Sequence, residues 1–379
     1  MPKFPRKLEE KLQKRIDDNA FRELPKKQGL VDFSSNDYLG LAKCKTILES
    51  VEARLKKLQI DSHGSSGSRL LTGNHRLYEE VESFLCNHYQ FESALVFNSG
   101  YDANIGFFSS IAQKGDFVFY DELIHVSIRE GIAMSNAKSY KFAHNDLENL
   151  KGKIDKLVGI QSEDPNVEIY VVTESVFSMD GDSPDLKAFS QFCSERGLNL
   201  VVDEAHAIGV FVTGLIDAKA VFAKIITFGK ALGCHGAAIL GGERLKDYLV
   251  NFARSLIYTT ALPPHSLAVI QGSYEYLQEK GSERKEQLEA NIDFFKQEME
   301  RLNIGGKFIP SNSAIHCMLV PGNEKVKKLS NILAKAGFEV KPILSPTVKK
   351  GEERLRFCLH AYNSKEEISN VLEIITKHI

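Results

Sequence analysis

Short apolar runs separated by helix-sized amphipathic stretches dominate the middle of the chain. Ala94–Phe97, Phe117–Tyr120, Glu168–Val172, Leu198–Val202 and Ile225–Thr227 read as strands. Their apolar residues are near-continuous rather than alternating, as strands require when both faces of a sheet are covered. The pattern predicts a mostly parallel sheet between helical layers over residues 46–270. Ahead of it, residues 1–45 read as a charged helix, a short strand and the turn-rich loop Val31–Gly40. After Pro263-Pro264 a helical pattern runs to Leu302, with a break expected at Gly281.

The remainder reads strand (Ala314–Val320), helix (Asn323–Ala336), strand (Phe338–Ile343), strand (Arg354–Leu359) and helix (Ser364–Lys377). These make residues 271–379 a smaller α+β domain. Ser364 and Glu367 stand at the spacing of a capping box. Ile368, Val371, Leu372 and Ile375 then share one helix face.

Charge narrows the function classes. The chain's 379 residues carry 48 Lys+Arg against 50 Asp+Glu, a net charge of −2, so no broad polyanion-binding face is expected and nucleic acid is an unfavoured partner. Six scattered cysteines form no CxxC pair, which leaves neither a zinc site nor a disulfide framework to read and fits a reducing cytoplasm. Met1–Arg15 is charged, so no secretory signal is expected. No apolar run reaches the roughly 18 residues of a membrane helix.

Chemistry-bearing residues gather at the ends of the apolar runs. Leu198-Asn-Leu-Val-Val-Asp-Glu-Ala-His206 is a strand ending in Asp203, with His206 in the turn beyond. Ligands in open α/β sheets bind beyond the strands' carboxyl ends, and an acid there can hold a cationic ring nitrogen or simply cap the next turn. Thr227-Phe-Gly-Lys230 places a lysine at another strand end. A crowded lysine can lose its proton and form a Schiff base, although most lysines are surface residues. Asn98-Ser-Gly-Tyr101 runs from a strand into a helix start, where backbone N–H groups can cradle a phosphate. His125 follows the strand ending at Tyr120 and can stack on a flat ring, move protons, or be purely structural.

The stretch Ser62–Gly73, rich in small residues, reads as a tight loop against a ligand or subunit, or as a flexible one. Arg354-Leu-Arg356 is read as putting its arginines on opposite sides of a strand, one gripping a carboxylate and the other solvated or structural. The fingerprints GxxxxGK[ST], GxGxxG, GxSxG and HExxH are missing, which disfavours nucleotide, dehydrogenase, hydrolase and metal readings.

In this order, Asn98–Tyr101, His125, Glu174–Asp182, Asp203–His206 and Thr227–Lys230 resemble the motifs of the α-oxoamine synthases. These are pyridoxal 5'-phosphate (PLP) enzymes of fold type I that join an amino acid to an acyl thioester with loss of CO2. The likeness extends from Phe33–Leu41 to Pro346-Thr347 and Arg354–Arg356. It implies a large domain on a mostly parallel seven-stranded sheet, a smaller C-terminal α+β domain, and a homodimer with shared sites.

The resemblance also implies roles. Lys230 holds the cofactor covalently and Asp203 pairs with its ring nitrogen. His206 and Ser178 bond its phenolic oxygen, and His125 stacks on its face. Gly100 and Tyr101 offer backbone N–H groups, and Thr227 its hydroxyl, around the cofactor or its phosphate, with Thr259 or Thr260 reaching the partner subunit's phosphate. Arg356 holds the amino-acid carboxylate, and Arg22, Asn36 and Thr347 match substrate contacts. No metal is implied. Phe142–Asp146, Phe252–Thr260 with Pro263-Pro264, and Ser345–Val348 favour the branch that uses L-alanine and a pimeloyl thioester, carried on CoA or acyl carrier protein. Siblings using glycine or serine, a transaminase, and a non-catalytic subunit of the same fold are the alternatives. One departure stands out: after Gly209-Val-Phe211 the family's glycine-rich G-x-x-G-x-G is replaced by the shorter Val212–Lys219.

Overall fold

The computed structural model describes residues 3–24, 29–158 and 166–379. The chain forms two compact units. The larger comprises the described residues of Leu39–Ser178 and Ser183–Lys285. The smaller comprises those of Met1–Tyr38 and Glu286–Ile379, with the short stretch Met179–Asp182.

Strand β1 (Val31–Asp32) belongs to the smaller unit. The larger unit is built on β2 (Ser93–Phe97), β3 (Phe117–Asp121), β4 (Lys138–Phe142), β5 (Ile169–Glu174), β6 (Asn199–Asp203), β7 (Ala223–Thr227) and β8 (Ala237–Gly241). Their order is β2-β8-β7-β6-β5-β3-β4. Strand β8 runs antiparallel to both neighbours and the other pairs are parallel. The expected mostly parallel, seven-stranded α/β sheet is present, and β2, β3, β5, β6 and β7 all point the same way.

Adjacent residues of one strand serve opposite cores. Val172 and Val201 pack with Phe107, Ile128 and Ile225. Val171, Leu200 and Val202 pack with Phe119, Leu150 and Phe189 on the other face. Each such side chain contributes roughly 1.5–3 kcal/mol by burial, which is why these strands read as continuous apolar runs. Two strands escaped the sequence pattern. Strand β4 lies at the sheet edge, with mostly exposed or half-buried residues. Strand β8 is Ala-Ala-Ile-Leu-Gly, buried but poor in β-branched and aromatic side chains.

Helix Pro264–Lys280 ends at Gly281 and helix Ser282–Arg301 follows, so the expected break is present. In the smaller unit, β9 (Ile315–Leu319), β11 (Lys341–Ile343) and β12 (Arg354–Cys358) form an antiparallel sheet in the order β11-β12-β9. β10 (Phe338–Glu339) pairs in parallel with β1. The expected strand Phe338–Ile343 is thus two strands, interrupted at Val340, that serve different sheets. Ser364 and Glu367 form the capping box of helix Lys365–Thr376.

Candidate active site

Parallel pairing brings three strand ends level on the larger unit. Glu174 is the register partner of Asp203, and Asp203 that of Ile225, near the end of β7. Strand β3 leads to His125, and β2 leads through Ser99 into helix Gly100–Ile111. A cavity of about 190 Å³ opens there. Gly100, Tyr101, His125, Ser178, Asp203, Thr227 and Lys230 all line it, seven of the eight cofactor contacts expected from the sequence. His206, the eighth, lies beside it: its Nε2 is 2.5 Å from Lys230 Nζ. Asn104, Ser127 and Glu174 also line the cavity and were not among the expected contacts.

Local geometry explains each placement. Asp203 Oδ1 accepts the Ala205 N–H at 2.9 Å, and Oδ2 accepts from Asn104 Nδ2 at 3.0 Å. The carboxylate is thereby fixed beyond its strand. Ala207 N–H bonds back to Glu204 O, closing the turn that presents His206. Ser99 caps its helix by accepting the Asp102 N–H. The N–H groups of Gly100 and Tyr101, first in that helix, have no intrahelical acceptor and form part of the positive end of the helix dipole. A Cβ on Gly100 would lie 3.4 Å from Thr227 Oγ1, so the helix start and the threonine hydroxyl are close neighbours.

The walls are electrostatically graded. Burial and the adjacent Asp203 push Glu174 up to about 8, because two carboxyls side by side on neighbouring strands resist joint ionisation. Burial lowers the His125 pKa, helped by Lys230 and Arg129 and opposed by Asp203 and Glu130. The cavity therefore offers an anion cradle, a carboxylate beside a protonated acid, a neutral imidazole and an amine. This set fits a flat heterocycle with a phosphate, a cationic ring nitrogen and a carbonyl.

The four expected substrate contacts lie in the smaller unit and associate in pairs. Arg22 Nη2 is 3.2 Å from Thr347 Oγ1, and Arg356 Nη2 is 3.0 Å from Asn36 Oδ1. The reading of Arg354 and Arg356 is corrected. Residues two apart on a strand share a face, and both arginines are buried. Arg354 pairs with Asp180, and Arg356 also meets Cys358 Sγ at 2.9 Å. Thr259 and Thr260 meet Asn98, whose Nδ2 donates to Thr259 Oγ1 and Thr260 O. Arg69, in the small-residue loop, is tied to Glu82, Asn74 and the Val96 carbonyl.

The shortened Val212–Lys219 segment is organised by charge. Lys224 Nζ lies 2.7 Å from Glu204 Oε2 and donates to the Thr213 and Ile216 carbonyls at 2.9 and 2.6 Å. Glu204 Oε1 accepts the Leu215 N–H at 2.6 Å. Gly214, at φ +85°, is required here, since a Cβ would lie 1.8 Å from Glu204 Oε2. A buried ion pair whose acid, Glu204, directly follows Asp203 thus shapes this loop. Among the described residues, no cluster of His, Cys, Asp and Glu is arranged to hold a metal, and no helix is long and apolar enough to cross a membrane.

Residues 28–375 match the family described as aminotransferase class I and II. An 8-amino-7-oxononanoate synthase of Emericella nidulans is 38% identical over 393 residues, covering 97% of this chain and 94% of that protein. Among solved structures, serine palmitoyltransferase from S. paucimobilis with a bound PLP–myriocin aldimine is similar with a TM-score of 0.86 at 25% identity, covering 98% of this chain and 96% of that one. An 8-amino-7-oxononanoate synthase from Francisella tularensis is similar with a TM-score of 0.75 at 27% identity, covering 92% and 97%. This chain belongs to the aminotransferase class I and II family, in its branch of PLP-dependent α-oxoamine synthases.

Proposed function

We propose that this chain condenses L-alanine with a pimeloyl thioester, releasing CO2 and free thiol and giving 8-amino-7-oxononanoate, a step of biotin biosynthesis. The observation that carries the choice of substrates is the 38% identity to the Emericella nidulans synthase across 97% of the chain. The cavity supports the cofactor. In this reading Lys230 would hold PLP, Asp203 would face its ring nitrogen, His125 its face, and Gly100, Tyr101 and Thr227 its phosphate; all six line the cavity.

Bound PLP supplies an electron sink for charge developing at the amino-acid α-carbon. The residues do the rest. Asp203, held by two N–H donors, favours a protonated ring nitrogen. Lys230 Nζ carries protons to and from the α-carbon, and His206 Nε2, 2.5 Å away, orients that amine and shares its proton. Protonated Glu174 keeps a second negative charge away from Asp203. Arg356, Arg22, Asn36 and Thr347 are proposed substrate contacts on the strength of the resemblance, as is a homodimer with shared sites.

The test is mass-spectrometric detection of 8-amino-7-oxononanoate from PLP-loaded protein given L-alanine with pimeloyl-CoA or pimeloyl acyl carrier protein. A sibling reaction of serine with a palmitoyl thioester is the second reading. It is favoured by the larger TM-score to serine palmitoyltransferase, 0.86 against 0.75.

A further inference from the structure

A chain of hydrogen-bonded polar side chains runs along the cavity wall. Asn104, on helix Gly100–Ile111, donates Nδ2 both to Asp203 Oδ2 and to Ser127 Oγ, each at 3.0 Å. Ser127 is fully buried in helix Val126–Met134. Its Oγ lies 2.7 Å from His125 Nδ1, and its backbone N–H reaches the same nitrogen at 3.3 Å. The two helices come this close because residue 131 is glycine. A Cβ there would stand 2.8 Å from the Asn104 carbonyl oxygen and from Phe108 Cβ.

Proton bookkeeping along this chain has one solution. A backbone N–H only donates, so His125 Nδ1 is an acceptor. With Nδ1 an acceptor, the Ser127 hydroxyl 2.7 Å away donates its proton to it and keeps its lone pairs for Asn104. The imidazole proton then sits on Nε2. The Asn104 amide is also fixed. Its Oδ1 is buried with no hydrogen-bond partner among the described residues, an arrangement that costs free energy. Turning the amide over would set that oxygen against the Asp203 carboxylate.

We infer that Asn104 and Ser127 are positioning residues whose relay, Asp203–Asn104–Ser127–His125, holds the Asp203 carboxylate and fixes His125 as the Nε2–H tautomer. The inference rests on reading the cavity as a PLP site, where one end of the relay meets the ring nitrogen and the other the ring face. The two contacts are then set together. The nitrogen left to His125 for other partners is a donor, so the ring takes no proton there. The charged and titratable groups facing His125 are Asp203, Lys230, Arg129 and Glu130, with Glu174 accepting its backbone N–H.

The test is nitrogen NMR of histidine-labelled protein, cofactor-free and PLP-loaded, with His125 assigned by His125→Gln. Wild type should show Nε2 protonated and Nδ1 bare. Ser127→Ala should raise the Nδ1–H share about tenfold, the worth of one hydrogen bond. Asn104→Ala should raise the PLP dissociation constant by a similar factor. A wild-type Nδ1–H tautomer overturns the relay even if no variant folds, as does an unchanged tautomer in folded Ser127→Ala. Unchanged PLP affinity in Asn104→Ala overturns its role toward Asp203. No substrate enters these readouts, so failure of the proposed reaction leaves them intact and is seen separately.

Discussion

Glu174 and Asp203 are register partners at the ends of adjacent parallel strands. Neighbouring strands lie about 4.8 Å apart, and both side chains line the same cavity. One of two such carboxyls keeps its proton, and Glu174, pushed up to about 8, is the one that does. Its Oε1 accepts the His125 N–H, so the protonated acid also anchors the imidazole's backbone.

That pairing makes stability depend on pH. Glu174 has a folded pKa raised above the ordinary value of 4.5. Its contribution is therefore fully present below that value and is lost as pH rises through about 8. The slope is at most ~1.4 kcal/mol per pH unit in that window. Glu174→Gln keeps an acceptor for the His125 N–H and removes the titration. Thermal melts of cofactor-free protein at pH 5 and pH 8 should show a smaller drop for the variant than for wild type. Equal drops would refute the assignment.

Lys230 Nζ and His206 Nε2 lie 2.5 Å apart, within hydrogen-bond distance. Lys230→Ala should reduce turnover to background while PLP still binds noncovalently, read by absorbance after gel filtration. His206→Ala loses one charge-assisted hydrogen bond. That is worth about 1.5–3 kcal/mol, or roughly 10–100-fold in rate. Wild-type turnover by the lysine variant would remove Lys230 from the mechanism.

The Lys224–Glu204 pair sits in the core, with Lys224 1% exposed and Glu204 fully buried. Removing one partner strands a buried charge and costs about 3–5 kcal/mol. Lys224→Met should therefore melt well below wild type. The double variant Lys224→Met with Glu204→Gln should recover part of the loss, because it leaves no uncompensated charge. If the double variant melts no higher than Lys224→Met, stranded charge is not the cause of the loss.

The five strands of the larger sheet read from sequence are buried, near-continuous apolar runs, so each announced itself without alternation. β4 was missed because Lys-Ser-Tyr-Lys-Phe is mostly exposed and carries only one buried apolar residue. β8 was missed because Ala-Ala-Ile-Leu-Gly carries little strand preference. The break at Val340 follows from pairing with two different sheets, which no local pattern records. Asp203, Thr227 and Lys230 were legible because a sheet delivers its strand ends to one edge. Glu174 was legible in type but not in role, since its shifted pKa comes from a register partner distant in sequence. Asn104 and Ser127 gave no signal at all, being ordinary helix residues until Gly131 lets two helices close on each other. The loss of glycines after Phe211 was visible, whereas its compensation by Lys224 needed the fold.

The most direct test of the account is thiol release by PLP-loaded protein. L-alanine, glycine and L-serine would each be paired with pimeloyl-, acetyl- and palmitoyl-CoA, and pimeloyl acyl carrier protein included with alanine. The account predicts release confined to L-alanine with a pimeloyl thioester. Release with serine and palmitoyl-CoA, or glycine and acetyl-CoA, and none with alanine and either pimeloyl carrier, would contradict it.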